Sequence, residues 1–192
     1  MIARITQRSL RATLRAGAGL LACLMLYLLF LHTSGNFHVT VPGELYRSAQ
    51  LQPGDLAELE QQYHIRSELN LRGAEPNQEW YRDELKEAAA SGVVHRDFKM
   101  SSSKELTEKE ALALIQTMRD MPKPLLIHCR AGADRTGLAA AFYMAAIAHK
   151  GEWAAEEQLW IQNGHVPLWF TSAFAMNRTF ERMEPILGFP DS

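Results

Sequence analysis

The chain has 192 residues, 47% of them hydrophobic and 22% charged, which fits one globular domain plus an extra segment and excludes a disordered or collagen-like chain. Two cysteines exclude a disulfide-stapled scaffold. The formal net charge of −2 is uneven: residues 1–35 hold Arg4, Arg8, Arg11 and Arg15 and no acid, so the remainder is acidic and argues against a nucleic-acid partner.

Residues 16–31 (AGAGLLACLMLYLLFL) carry no charge. The run is shorter than the roughly 20 residues of a full membrane span and longer than most signal-peptide cores. Residues 1–35 therefore read as a basic segment with a membrane anchor, or as a signal peptide cut near Thr33–Gly35. The next basic residue after the run is Arg47, so the positive-inside rule keeps the N-terminus in the cytoplasm and puts the body, residues 36–192, outside it. A linker of about a dozen extended residues is expected after the run.

The body alternates strand and helix signals. Strands are expected over 37–41, 65–71, 93–100 and 125–128, and helices over 53–63, 79–91, 107–120, 137–149, 152–162 and 170–183. Thr107 with Glu110 forms a capping box. Trp153, Trp160, Trp169 and Phe170 read as helix-packing residues. This order implies a mostly parallel sheet covered on both faces, with ligands at the carboxyl ends of its strands.

The strand-to-helix turn after residues 125–128 reads HCRAGADRTG over 128–137. The amides of Arg130, Ala131, Gly132, Ala133, Asp134 and Arg135 can curl into an anion-cradling nest. Gly132 permits the tight curve. The next helix, starting near Arg135, aims its positive end at the same point. Arg135 can grip two anion oxygens. Cys129 lies at the bottom of this positive bowl, which favours the nucleophilic thiolate and places it for in-line attack on phosphorus. Arg47 and Arg72 either rim the site or hold loops. Gln158 and Gln162 read as water-positioning residues or surface residues. The histidines show no metal-site spacing.

This turn resembles the phosphate-binding loop of the cysteine-dependent protein tyrosine and dual-specificity phosphatases, with His128, Cys129, Arg135 and Thr136 matching. The segments 44–51 (ELYRSAQL) and 69–73 (LNLRG) resemble early strands of compact dual-specificity-like members. The resemblance leaves out residues 1–35. It implies a three-layer α/β/α sandwich and a phosphocysteine on Cys129. It also implies phosphoryl binding by Arg135, a Thr136 hydroxyl that helps the thiolate leave, loop support by His128, and no metal or other cofactor. The general acid stays open. Asp97 has the family's usual separation from the cysteine but falls in a strand-like run, and the polar loop at 101–105 offers only Glu105. Asp134 gives a C-x4-D-R-T pattern that resembles myotubularins and bacterial tyrosine or phosphoinositide phosphatases. The expected partner is a phosphotyrosine or other phosphoprotein, with a phosphoinositide or phosphorylated small molecule as the alternative. A rhodanese-like sulfurtransferase and an idle phosphate-binding module are the rivals from other classes.

Overall fold

The computed structural model describes residues 2–190, in two units that divide between Ser34 and Gly35. The first unit is one helix, α1 (Ile2–Thr33). It extends the apolar run toward the N-terminus because arginine, leucine and alanine are strong helix formers. Its stretch Ser9–Leu31 has 23 residues and a mean hydropathy of 2.0. At 1.5 Å per residue that is about 35 Å, enough for a hydrocarbon core of about 30 Å. Leu14, Leu20, Met25 and Phe30 are exposed on it. The hydroxyls of Thr13 and Thr33 donate to the carbonyls of Ser9 and Leu29, so these polar groups are satisfied within the helix.

The second unit enters its sheet at once, which corrects the expected dozen-residue linker. Its strands are β1 (His38–Val41), β2 (Leu45–Ser48), β3 (Ser67–Asn70), β4 (Val94–Asp97) and β5 (Leu125–His128). Their order is β1-β2-β5-β3-β4, with β1 antiparallel to β2 and the other pairs parallel. Ser48 and Asn70 both pair with His128, and Asn70 pairs with Asp97. The carboxyl ends of four strands therefore meet at the residue before Cys129.

Alternation along the strands sorts side chains to two faces. Leu45, Leu69, Leu125 and Ile127 pack in one core with α4 (Glu108–Asp120), α5 (Asp134–Ala146) and α7 (Ala175–Leu187). Tyr46 and Leu126 pack in the other with α2 (Asp55–Tyr63) and α3 (Glu79–Ser91). These are the three layers of an α/β/α sandwich. The capping box on α4 forms as expected.

The last third departs from the simple helical reading. Residues 152–162 form α6 (Glu152–Glu156) and then two short 3-10 turns, Glu157–Leu159 and Ile161–Asn163. The tightened turn brings the Gln158 carbonyl within 3.2 Å of Arg47 Nη1, an acceptor that a continuing α-helix would have used internally. The final helix, α7, begins only after a 3-10 turn at Ser172–Phe174. Trp169 and Phe170 pack edge to face on each other but are 77% and 67% exposed, so they are not core residues.

Candidate active site

The loop from Cys129 to Ala133 is shaped from behind. The Gln50 amide donates to the Arg130 carbonyl at 3.3 Å. Asn36 Nδ2 donates to the Ala131 carbonyl at 3.0 Å. Arg47 Nη2 donates to the carbonyls of Gly132 and Ala133 at 2.9 and 3.4 Å. Four consecutive carbonyls are thus taken by the body. A loop whose carbonyls are all bound from behind leaves its amides for the inside of the curve, the arrangement an anion nest requires. The start of α5 carries no side-chain cap, so its first amides are not consumed by the protein itself.

Gly132 is required twice over. Its φ is +68°, and a Cβ there would lie 2.6 Å from the Ala49 nitrogen and 2.7 Å from the Ser48 carbonyl. Gly137 lies inside α5 rather than at its start. A Cβ there would sit 2.8 Å from the Gln158 carbonyl, so this glycine lets α5 approach the tightened turn.

Cys129 is buried at the base of the loop. Arg47 is fully buried beneath it. Besides the loop carbonyls it binds the Gln158 carbonyl and Oε1, at 3.2 and 3.0 Å. Burial lowers the Arg47 pKa to about 10, opposed by the neighbouring Cys129. Arg47 thus holds the loop from within rather than rimming it, and Gln158 is its partner rather than a surface residue. Among the described residues, Thr136 Oγ1 and Arg135 Nε are buried without hydrogen-bond partners, and Arg135 Nη1 donates to the Met100 carbonyl at 3.5 Å. Arg72 does rim the site. Its guanidinium lies 3.5 Å over the Trp80 ring and donates to Gln50 Oε1 at 2.7 Å. Burial, and then the positive charges of Arg135 and Arg130, lower the Arg72 pKa. Three arginines therefore gather at the mouth of an otherwise acidic body. A small cleft of about 80 Å³, lined by Trp80, Leu51, Leu56, Gln50 and Glu84, opens beside the two partners of Arg72.

The three acid candidates sit differently. Asp97 Oδ1 accepts from Asn70 Nδ2 at 2.8 Å and lies 3.3 Å from His95 Nε2, while its Oδ2 accepts from the Tyr81 hydroxyl at 2.5 Å. Burial and this bond raise the Tyr81 pKa to about 12. Glu105 is clasped by Arg178 at 2.6 Å and Arg182 at 2.5 Å, which hold its carboxyl below the usual range. Asp134, the first residue of α5, places Oδ1 2.7 Å from Nδ1 of His165.

His128 is buried against α3, with Nε2 3.5 Å from Glu84 Oε1, an ion-pair contact rather than a tight hydrogen bond. Glu84 Oε2 also accepts a short hydrogen bond from Gln50. His95 Nδ1 meets Glu68 Oε1 at 2.8 Å. Glu68, Glu84 and His128 bring donor atoms within 4.8 Å of one another and are the buried set that comes nearest to a metal-ligand cluster; Glu152, Glu156 and Glu184 form a more exposed one. Burial raises the Glu68 pKa, opposed by its bond to His95 and by the nearby His128. His165, Glu68 and Glu84 are not legible in the sequence: Glu68 stands in the mixed run SELN, Glu84 in a helix of many charges and His165 in an irregular segment, and nothing local marks any of them as buried.

No curated protein matches the chain. The tyrosine phosphatase family profile matches residues 31–157, more than half of it, and the chain belongs to that family. Similar solved structures include P. aeruginosa TpbA, at 22% identity and a TM-score of 0.58, covering 81% of this chain and 92% of that one. PTPMT1 matches at 14% identity and a TM-score of 0.59, over 79% of this chain and 96% of that one. The catalytic core of the PP-IP phosphatase SIW14 from S. cerevisiae matches at 18% identity and 0.56, over 81% and 94%. At these identities the likeness establishes the shared fold. Family and fold together make the chain a cysteine-dependent phosphatase, a hydrolase of phosphomonoesters.

Proposed function

We propose that the chain hydrolyses phosphotyrosine or another phosphoprotein ester through a phosphocysteine on Cys129. The observation that carries this reading is the loop's outward carbonyls, which leave its amides, with Arg135, to cradle a phosphoryl group above the buried thiol. Arg135, whose Nε has no partner, binds two phosphoryl oxygens. Thr136, with an unpartnered hydroxyl, stabilises the departing thiolate in the second step. His128 supports the loop from the α3 side. Asp134 protonates the leaving oxygen, because Asp97 is held by two donors, Asn70 and Tyr81, and Glu105 by two arginines.

A phosphoinositide or another phosphorylated small molecule is the second reading. Arg72, Arg130 and Arg135 together offer more positive charge than one phosphate group needs. Both substrate types occur among the similar structures: one TpbA structure holds phosphotyrosine, and SIW14 is described as a PP-IP phosphatase. We read α1 as a membrane anchor with the N-terminus cytoplasmic and the catalytic unit outside, on the four arginines at its start. A removed signal sequence is the alternative, and the mass of the mature protein separates the two.

The test is a screen of the full chain in detergent against tyrosine-phosphorylated peptides and phosphoinositides, with Cys129→Ser as control. Turnover of the peptides, abolished in the variant, supports the reading. Comparable turnover by the variant sinks the cysteine mechanism, and activity confined to phosphoinositides selects the second substrate class.

A further inference from the structure

Asp134 is not alone at the start of α5. His165, fully buried in the irregular segment before α7, places Nδ1 2.7 Å from Asp134 Oδ1 and Nε2 2.7 Å from Asn177 Oδ1. With the Asn177 oxygen facing the ring, Nε2 carries a proton, and either Nδ1 or Oδ1 carries another. If the amide is reversed, the ring is neutral with its proton on Nδ1. In every arrangement a proton lies between Nδ1 and Oδ1. Oδ1 is therefore occupied, while Oδ2 makes no hydrogen bond among the described residues, in a side chain 31% exposed.

We propose that His165 is a positioning residue for the reaction, holding Asp134 by Oδ1 so that Oδ2 is the oxygen that carries and receives the catalytic proton. This rests on the reading of Asp134 as general acid. In the first step the Cys129 thiolate forms the S–P bond and the P–O bond to the leaving group breaks. Its electron pair stays on the leaving oxygen, which takes the proton from Oδ2. The carboxylate left behind keeps its Oδ1 bond to the imidazole. In the second step water attacks phosphorus, Oδ2 takes its proton, and the S–P electron pair returns to Cys129. Asn177 on α7 fixes the far side of the ring, so the proton-bearing oxygen is aimed by an element outside the catalytic loop.

The test compares phenyl phosphate, a poor leaving group, with 4-nitrophenyl phosphate, a good one, for the full chain and for Asp134→Asn, His165→Ala, His165→Asn and the Asp134→Asn/His165→Ala double variant. His165→Ala should slow phenyl phosphate at least tenfold more than nitrophenyl phosphate, and in the Asp134→Asn background it should change either rate by less than twofold. His165→Asn, whose amide nitrogen stands near the lost Nδ1, should restore part of the phenyl phosphate rate. Inhibition by inorganic phosphate reports whether the loop is still formed. Equal slowing of both substrates by His165→Ala, or an undiminished effect in the Asp134→Asn background, overturns the proposal and leaves the acid assignment standing. If Asp134→Asn itself shows no leaving-group selectivity, the acid reading fails and this proposal fails with it. Asn177→Ala gives a second approach if the His165 variants do not fold: it should show the same selectivity at smaller size, and uniform slowing overturns the proposal.

Discussion

The two faces of the sheet support the loop from Cys129 to Ala133 in opposite ways. On the α5 face a single buried cation, Arg47, binds two loop carbonyls and both Gln158 oxygens. On the α3 face the work is spread over Glu68, Glu84, His95, Asp97 and His128, which share contacts from 2.8 to 3.8 Å. A lone buried charge with four acceptors has no substitute, whereas a cluster of acids and imidazoles can redistribute protons when one member changes. The α5 side should be brittle and the α3 side tolerant.

Arg47→Met is the most severe break. It keeps the length but strands the carbonyls of Gly132 and Gln158 in a dry interior, at a cost of about 3–5 kcal/mol. The loop also loses its register, and a misplacement of about 1 Å can lower turnover on the order of a hundredfold. Denaturant unfolding and aryl phosphate hydrolysis measure both effects, and a variant within twofold of wild type on each would contradict the brittle-side argument.

Glu84→Gln probes the tolerant side. Burial opposes ionisation of Glu84, but His128, Gln50 and His95 outweigh it and hold the carboxyl below its usual range. A lowered carboxyl contributes stability above its unfolded value of 4.5 and loses it as pH falls. The variant should be less stable than wild type by about 1–3 kcal/mol near neutrality. That gap should close under acid. A gap that widens as pH falls would reverse the assigned sign.

His95→Gln should give the smallest effect, with the opposite pH dependence. Burial lowers the His95 pKa, but Glu68, Asp97 and Glu84 outweigh it and raise it above 6.5. The stability it contributes is complete below 6.5 and fades as pH rises through the raised value. Thermal unfolding from pH 5 to 9 should show the variant furthest below wild type at the acid end and converging with it toward alkaline pH. A constant gap would show that only shape matters there.

The legibility of the sequence follows how local each feature is. The unit from β5 through the loop to α5 was readable because its strand, glycine, cysteine and arginine lie within a dozen residues and each has a local reason. Arg47 was readable as a loop-holding candidate but not as a buried one, since nothing in the run LYRS reveals that all four residues are buried. His165 is 31 residues from Asp134 and sits where no period marks a face. The helix expected over 152–162 failed for the same reason: its residues favour a helix, but the distant demands of Arg47 and Gly137 break it into tighter turns. The exposed Trp169 and Phe170 show that aromatic character alone does not indicate burial.

Asn36 sets a limit on how the catalytic unit can be released. It is the second residue of that unit and almost wholly buried, and its amide donates to the carbonyls of Ala131 in the catalytic loop and of Asn163, each at 3.0 Å. Gly35 just before it accepts from the Ala49 amide at 2.7 Å. A protease that cuts before Gly35 frees a unit with its loop fully braced. One that trims past Asn36 removes one of the four clamps on the loop's carbonyls. The lower bound for an intact fragment is thus set by a bond to the 129–133 loop and not by the end of the apolar helix.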